Sequence, residues 1–217
     1  MITREAYAVY LVTDEPSRYA GDFVESVDAA IAGGVTLVQY RDTESDDRTM
    51  YTRALRLRGM LRERGIPLII NNSPALALAV VAEGVHVGQS DLPAAVVRRI
   101  VGPKVSIGLS VTCLADVATV CGADVDHVGI GPVYDATKTK HDAAPEMGLE
   151  GFSEIRQALA PYPAVAIGGI TLSRAAAVYA AGADGLAIVS AFSQAESPME
   201  AARGFRKCFE ESGFCKT

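Results

Sequence analysis

Short runs of aliphatic and β-branched residues recur eight times along the chain, and a stretch rich in alanine, leucine and arginine separates most of them from the next. The runs cover residues 8–12, 37–41, 68–71, 85–88, 105–109, 127–131, 164–168 and 185–189. Most are continuously apolar rather than alternating, as strands covered on both faces should be. The stretches between them space their apolar residues by three and four, the period of a helix with one buried face. Helices are expected over 23–31, 51–61, 94–101, 114–121, 152–159, 173–181 and 199–209, with a shorter one over 74–81. Arg53, Arg56 and Arg58 are available for the wet face of the second. Glycines at 33–34, 65, 122 and 182 follow helical stretches, where a left-handed C-cap residue belongs.

Eight such alternations favour a closed parallel barrel over an open sheet. The 217 residues exceed the roughly 200 that such a barrel needs. The expected fold is therefore α/β, a single (β/α)8 TIM barrel with parallel strands over residues 1–217, no linker or low-complexity segment dividing it. Hydrophobic residues make up 49% and charged residues 21%, enough for a core of that size.

A net charge of -6 and the lack of any basic block argue against nucleic acid or an anionic membrane as partner. No apolar run approaches the ~18 residues of a membrane span, and residues 1–10 lack the basic start and apolar run of a signal peptide. Cys113 and Cys121, like Cys208 and Cys215, are spaced unlike any zinc or redox pair, which suits reduced thiols in the cytoplasm.

In a parallel barrel all strand C-termini open on one face. Polar residues stand at those ends: Gln39 and Arg41, Asn71 and Asn72, Gln89 and Asp91, Ser110, then Thr137, Thr139 and Lys140, then the Gly168-Gly169 pair, then Val189-Ser190. Arg41 and Lys140 suit phosphate oxygens. Asp91 suits a hard cation such as Mg2+. The loops after strands seven and eight are where barrels often bind phosphate with backbone amides. Each residue also has a plainer use: Arg41 in an ion pair, Asp91 as a helix cap, His86 and His127 as structural histidines inside strands.

The chain resembles the thiamine-phosphate synthases. The likeness is carried by YLVTD at 10–14, GVTLVQYR at 34–41, PLIIN at 67–71, GVHVGQSDLP at 84–93, IGLS at 107–110, GPVY at 131–134, TKTK at 137–140, GLEG at 148–151, AIGGI at 166–170 and AGADGLAIVS at 181–190. It implies a TIM-barrel transferase of thiamine biosynthesis that condenses hydroxymethylpyrimidine diphosphate with hydroxyethylthiazole phosphate, releasing pyrophosphate, with Mg2+. It implies that Gln39, Arg41, Asn71 and Lys140 contact the diphosphate substrate, with Ser110 near its ring or the departing pyrophosphate. Arg41, Ser110 and Lys140 then carry the catalysis. Thr137, Thr139, Gly169, Val189 and Ser190 take the thiazole-phosphate side, and Asp91 holds the metal. The partners implied are these two phosphorylated small molecules, and a homo-oligomer is compatible with the sequence.

The pattern departs from the family at two charged places. Thr43 stands where a lysine is usual, and Asn72 where an aspartate would be a second metal ligand. One positive and one negative group vanish together, so the expectation is a working enzyme with compensated local charge and a weaker metal site. The alternatives are a thiazole-phosphate tautomerase on the same scaffold, or a non-catalytic binder of thiazole or thiamine phosphate.

Overall fold

The computed structural model describes residues 2–137 and 143–213. Eight strands close into one barrel in sequence order: β1 (Val9–Val12), β2 (Leu37–Tyr40), β3 (Leu68–Asn71), β4 (Gly84–Val87), β5 (Ser106–Val111), β6 (His127–Ile130), β7 (Ala164–Ile167) and β8 (Gly185–Ile188). Every neighbouring pair is parallel, and β1 meets β8 with Val9 opposite Leu186 and Leu11 opposite Ile188. The sheet is thus closed, which settles the choice against an open one.

The helices are α1 (Phe23–Ala32), α2 (Asp47–Arg64), α3 (Pro74–Ala79), α4 (Ala94–Val101), α5 (Val117–Val120), α6 (Gly148–Ala158), α7 (Leu172–Ala180), α8 (Ser190–Ser193) and α9 (Pro198–Glu211). None of them is long and apolar enough to cross a membrane. Helix α2 is longer than its hydrophobic period suggests. Asp46 caps its start by accepting from the Thr49 amide, and Gly65 ends it in the left-handed conformation at φ 69°. The stretch expected as one helix over 114–121 is instead a 3-10 turn, Leu114–Asp116, followed by the single turn of α5. The short α8 was not foreseen.

Two apolar clusters separate inside from outside. The larger lies between strands and helices and takes Leu11, Val38, Ile70, Val85, Ile107 and Val128 together with Leu57, Phe152 and Phe205 of the helices. The smaller fills the barrel itself with Tyr7, Tyr10, Val12, Leu37, Ile69, Val165 and Ala187. Side chains two apart on a strand share a face. Positions 10 and 12, 37 and 39, 69 and 71, 165 and 167, and 187 and 189 therefore point inward. The upper members of those pairs reach the mouth.

The arginines of α2 are more than a wet face. Arg53 pairs with the buried Asp42 at 3.0 Å, Arg56 pairs with Asp22, and Arg58 pairs with Glu83 at 2.8 Å. They tie α2 to the loop after β2, to the start of α1 and to the entry of β4.

A buried carboxylate bridges the barrel near its closing seam. Asp184 accepts from the Ala164 amide at 2.7 Å and pairs with Arg4 at 3.1 Å and Arg156 at 3.3 Å. Its arginine partners reach solvent, so its loss chiefly strands the buried Ala164 amide, at a cost of about 1–3 kcal/mol. Asp184→Ala should lower unfolding stability by about that amount, read as the urea midpoint at constant slope. A loss below about 1 kcal/mol would mean that the seam does not depend on this carboxylate.

Candidate active site at the barrel mouth

A cavity of about 660 Å3 opens at the C-terminal ends of the strands, inside the ~300–1,000 Å3 range of small-molecule sites. Gln39, Asn71 and Ser110 enter it from the inward positions of β2, β3 and β5. Gln39 is nearly buried, and its Nε2 donates to the Tyr10 hydroxyl oxygen at 2.6 Å. That bond fixes the amide plane of a side chain that lines the cavity. Gln89 ties the rim to the wall, its Nε2 donating to the Ser110 carbonyl at 2.7 Å and to Thr119 Oγ1 at 3.1 Å.

Arg41 lines the cavity and is held from behind by an ion pair. Its Nη1 donates to Glu15 Oε1 at 2.8 Å. Glu15 is buried, and it also accepts from the Thr43 amide at 3.0 Å and the Thr43 hydroxyl at 2.7 Å. The loop that carries Arg41 is further pinned by Thr13, whose hydroxyl accepts from the Arg41 amide and donates to the Arg41 carbonyl. Thr43, at the place where the resembled family usually has a lysine, is therefore engaged with Glu15. Asp14 extends the network, accepting from the Glu15 amide and from the Ser193 hydroxyl of α8 at 2.8 Å. The sequence did not point to Glu15 as a partner of Arg41, because the contact joins two loops 26 residues apart.

Asp91 does not cap α4, whose cap position is Pro93 with no side-chain bond. Its Oδ2 accepts from the Gly88 amide at 2.7 Å, which folds the loop after β4, and its side chain lines the cavity. Asn72 also lines the cavity, in the left-handed conformation at φ 59°. Asparagine tolerates that backbone region better than most residues, and aspartate shares the tolerance. Among the described residues no group of three or more His, Cys, Asp or Glu could hold a metal ion. One carboxylate plus one amide fits the manner of Mg2+, which keeps waters and completes its shell from substrate phosphates.

On the opposite rim, Gly168 and Gly169 adopt φ 100° and 58°. A Cβ on Gly168 would fall 2.5 Å from Pro132 Cβ, and one on Gly169 would fall 2.6 Å from the Asp135 carbonyl oxygen. The turn therefore needs glycine for both its dihedrals and its close approach to the loop after β6. Gly169, Val189 and Ser190 all line the cavity. Arg174 steadies the rim, its Nη1 donating to the Gly169 carbonyl at 2.8 Å while its guanidinium lies 4.3 Å from the Tyr134 ring centre. Thr137 is exposed, its amide donating to Asp135 Oδ1, and it is not among the lining residues. Thr139 and Lys140 lie outside the described residues.

Two residues assigned a structural role also line the cavity. His86 Nε2 lies 3.0 Å from Ser110 Oγ, and His127 sits beneath it with its Nε2 3.4 Å from His86 Nδ1. Burial pushes the His86 imidazole down to about 4. Burial, and after it the neighbouring His86, hold His127 well below the ordinary range. The signal that could have found them is parity: both stand at inward positions of their strands.

A family model described as thiamine monophosphate synthase matches residues 9–192. The chain is 47% identical over 205 residues to a thiamine-phosphate synthase of Azorhizobium caulinodans, covering 94% of this chain and 96% of that one. It is 44% identical over 200 residues to one of Chloroflexus aurantiacus, with 92% and 91% covered. Among solved structures, the thiamine phosphate pyrophosphorylase of Pyrococcus furiosus superposes with a TM-score of 0.86 at 34% identity, over 96% of this chain and 98% of that one. A 3-hexulose-6-phosphate synthase shares the barrel alone, with a TM-score of 0.64 at 16% identity over 92% of this chain and 99% of that one.

The buried imidazoles make stability depend on pH. Unfolded, His86 takes up its proton near 6.5; folded, it does so only near about 4. Between those values the unfolded chain binds more protons, so acidification through that window should destabilise the fold. Urea midpoints measured from pH 7 down to about 4 should fall, and less steeply in His86→Gln. An unchanged slope in that variant would mean that His86 is not a source of it.

Proposed function

The chain belongs to the thiamine monophosphate synthase family, and from that we propose that it is a working thiamine-phosphate synthase whose chemistry takes place at the barrel mouth. The substrates are a pyrimidine bearing a methyl diphosphate and a thiazole bearing a phosphate; the products are thiamine phosphate and pyrophosphate. The observation that carries the reading is the convergence of Gln39, Arg41, Asn71, Ser110, Gly169 and Ser190, from five separate strand ends, on one cavity.

The reaction is a substitution at the carbon joining pyrimidine and diphosphate. That bond breaks with its electron pair leaving on the diphosphate, and the thiazole nitrogen lone pair closes the new bond to carbon. The barrier lies in separating an anion from a carbon that becomes cationic. Donors already aimed at the leaving oxygens lower it without reorganising. Arg41 would supply two parallel N–H groups to the diphosphate, held at the needed angle by Glu15 and Thr43. Lys140 would add a second cation, and Ser110 a neutral donor. Gln39 and Asn71 would orient the pyrimidine end. The thiazole phosphate would lie on the other rim, against the backbone of Gly169 and Val189-Ser190, with Thr137 and Thr139 completing it. Alignment of nitrogen and carbon across one cavity is then the main demand on the protein.

A Mg2+ ion, when bound, would offset charge on the departing diphosphate. Asp91 Oδ1 and the side-chain carbonyl of Asn72 are the atoms of this chain that would hold it. With one carboxylate rather than two, the metal should bind weakly and saturate at higher concentration than in an Asn72→Asp variant.

The test is direct turnover: pyrimidine diphosphate and thiazole phosphate mixed with purified protein, Mg2+ titrated from none to several millimolar, and thiamine phosphate followed. Magnesium-dependent product is expected. Arg41→Ala should lower kcat by about 100- to 1,000-fold. Folded protein that binds thiazole phosphate and yields no product at any magnesium level would point instead to a tautomerase or a ligand-binding protein.

A further inference from the structure

Ser110 ends a buried chain of two imidazoles that runs down into the barrel. His86 Nε2 lies 3.0 Å from Ser110 Oγ, and His86 Nδ1 lies 3.4 Å from His127 Nε2. His127 is fully buried, and its remaining nitrogen, Nδ1, has no hydrogen-bond partner among the described residues.

The fold makes room for this chain. His86, Gly108 and His127 stand level across β4, β5 and β6, each paired with the next. A Cβ on Gly108 would lie 2.3 Å from both His86 Nδ1 and His127 Nε2, and one on Gly129 would lie 3.0 Å from His86 Cε1. The two rings therefore occupy space that β5 and β6 leave empty at these positions. Tyr7 covers the lower ring, with ring centres 4.7 Å apart.

Burial disfavours the charged form of both rings, and a neutral imidazole carries one N–H. A chain of two neutral imidazoles and one hydroxyl has two consistent proton orders. In the first, His127 Nε2 donates to His86 Nδ1, His86 Nε2 donates to Ser110 Oγ, and the Ser110 hydroxyl proton is free to point into the cavity. In the second, every bond is reversed and Ser110 spends its proton on His86. The second order places a proton on His127 Nδ1, the atom with no partner. The first leaves only a bare lone pair there. Buried N–H groups without an acceptor are rare in folded proteins, and the first order avoids one at His127 Nδ1.

We propose that His127 and His86 are positioning residues that fix this proton order, so that Ser110 faces the cavity as a hydrogen-bond donor. Diphosphate oxygens only accept, so a serine locked as an acceptor would repel them. The proposal rests on the reading that Ser110 faces the departing diphosphate, and it adds what sets the direction of its hydroxyl.

Two measurements test it, and the first needs neither variants nor activity. In uniformly 15N-labelled wild-type protein, long-range 1H–15N correlation of the imidazoles should show both rings protonated on Nε2 and bare on Nδ1. A protonated His127 Nδ1 overturns the proposal even if the enzyme is a synthase. In the second, wild-type turnover is established first, and its absence counts against the synthase reading while the tautomer result still decides the proton order. Ser110→Ala should lower kcat by about a hundredfold. His127→Phe, which keeps a ring in place, should lose part of that factor in kcat with little change in KM for thiazole phosphate. His127→Gln, which restores a donor, should recover it. In the Ser110→Ala background His127→Phe should cost nothing more. An equal loss in both backgrounds would make His127 a packing residue and end the proposal.

Discussion

Hydrogen bonding between β1 and β8 closes the sheet, and the site exists because of that closure. Parallel strands all end on one side, so a closed ring of eight brings together residues as far apart as Asp14 and Ser193, 179 positions along the chain. Closure also divides each strand's side chains into an outer set, which packs on the helices, and an inner set, which has no neighbour except the opposite wall. Leu37, Ile69 and Val165 fill the inner space below the mouth. Above them the inner positions become Gln39, Asn71 and Ser110, and the packed core gives way to a cavity.

Polar groups inside a barrel are stable only if they are partnered. Here the partners are other residues of the site. Gln39 is matched by Tyr10, Ser110 by His86, and Arg41 by Glu15. Each pair costs desolvation and returns a fixed side-chain direction. That is a useful exchange where charge must be stabilised without reorganisation. Glu15 has a second consequence: Arg41 comes to the site with part of its charge already offset.

The two departures from the family pattern look different once the neighbours are known. Thr43 gives both its amide and its hydroxyl to Glu15, the residue that holds Arg41. Its loss of charge is thus coupled to the anchoring of another cation. Asn72 sits at a left-handed turn that suits asparagine and aspartate alike, so the backbone places little constraint on which of the two stands there. Either side chain can stand at 72 without added backbone strain.

The eightfold rhythm of apolar runs determined the fold class, because a strand buried on both faces and a helix buried on one leave different periods in the sequence. It also placed Gln39, Arg41, Asn71, Asp91, Ser110, Gly169 and Ser190 at strand ends, and the fold then made those ends neighbours. The sequence could not show closure, since an open sheet has the same periods. Nor could it show that Glu15 reaches Arg41, that Asp91 folds its own loop on Gly88, or that Arg53 and Arg58 are tied to acids on other elements. These are contacts between distant segments, set by where the barrel brings two loops together. His86 and His127 make the point most sharply. Each alone reads as a histidine in a strand; the register of β4, β5 and β6 across Gly108 brings their rings together beneath Ser110.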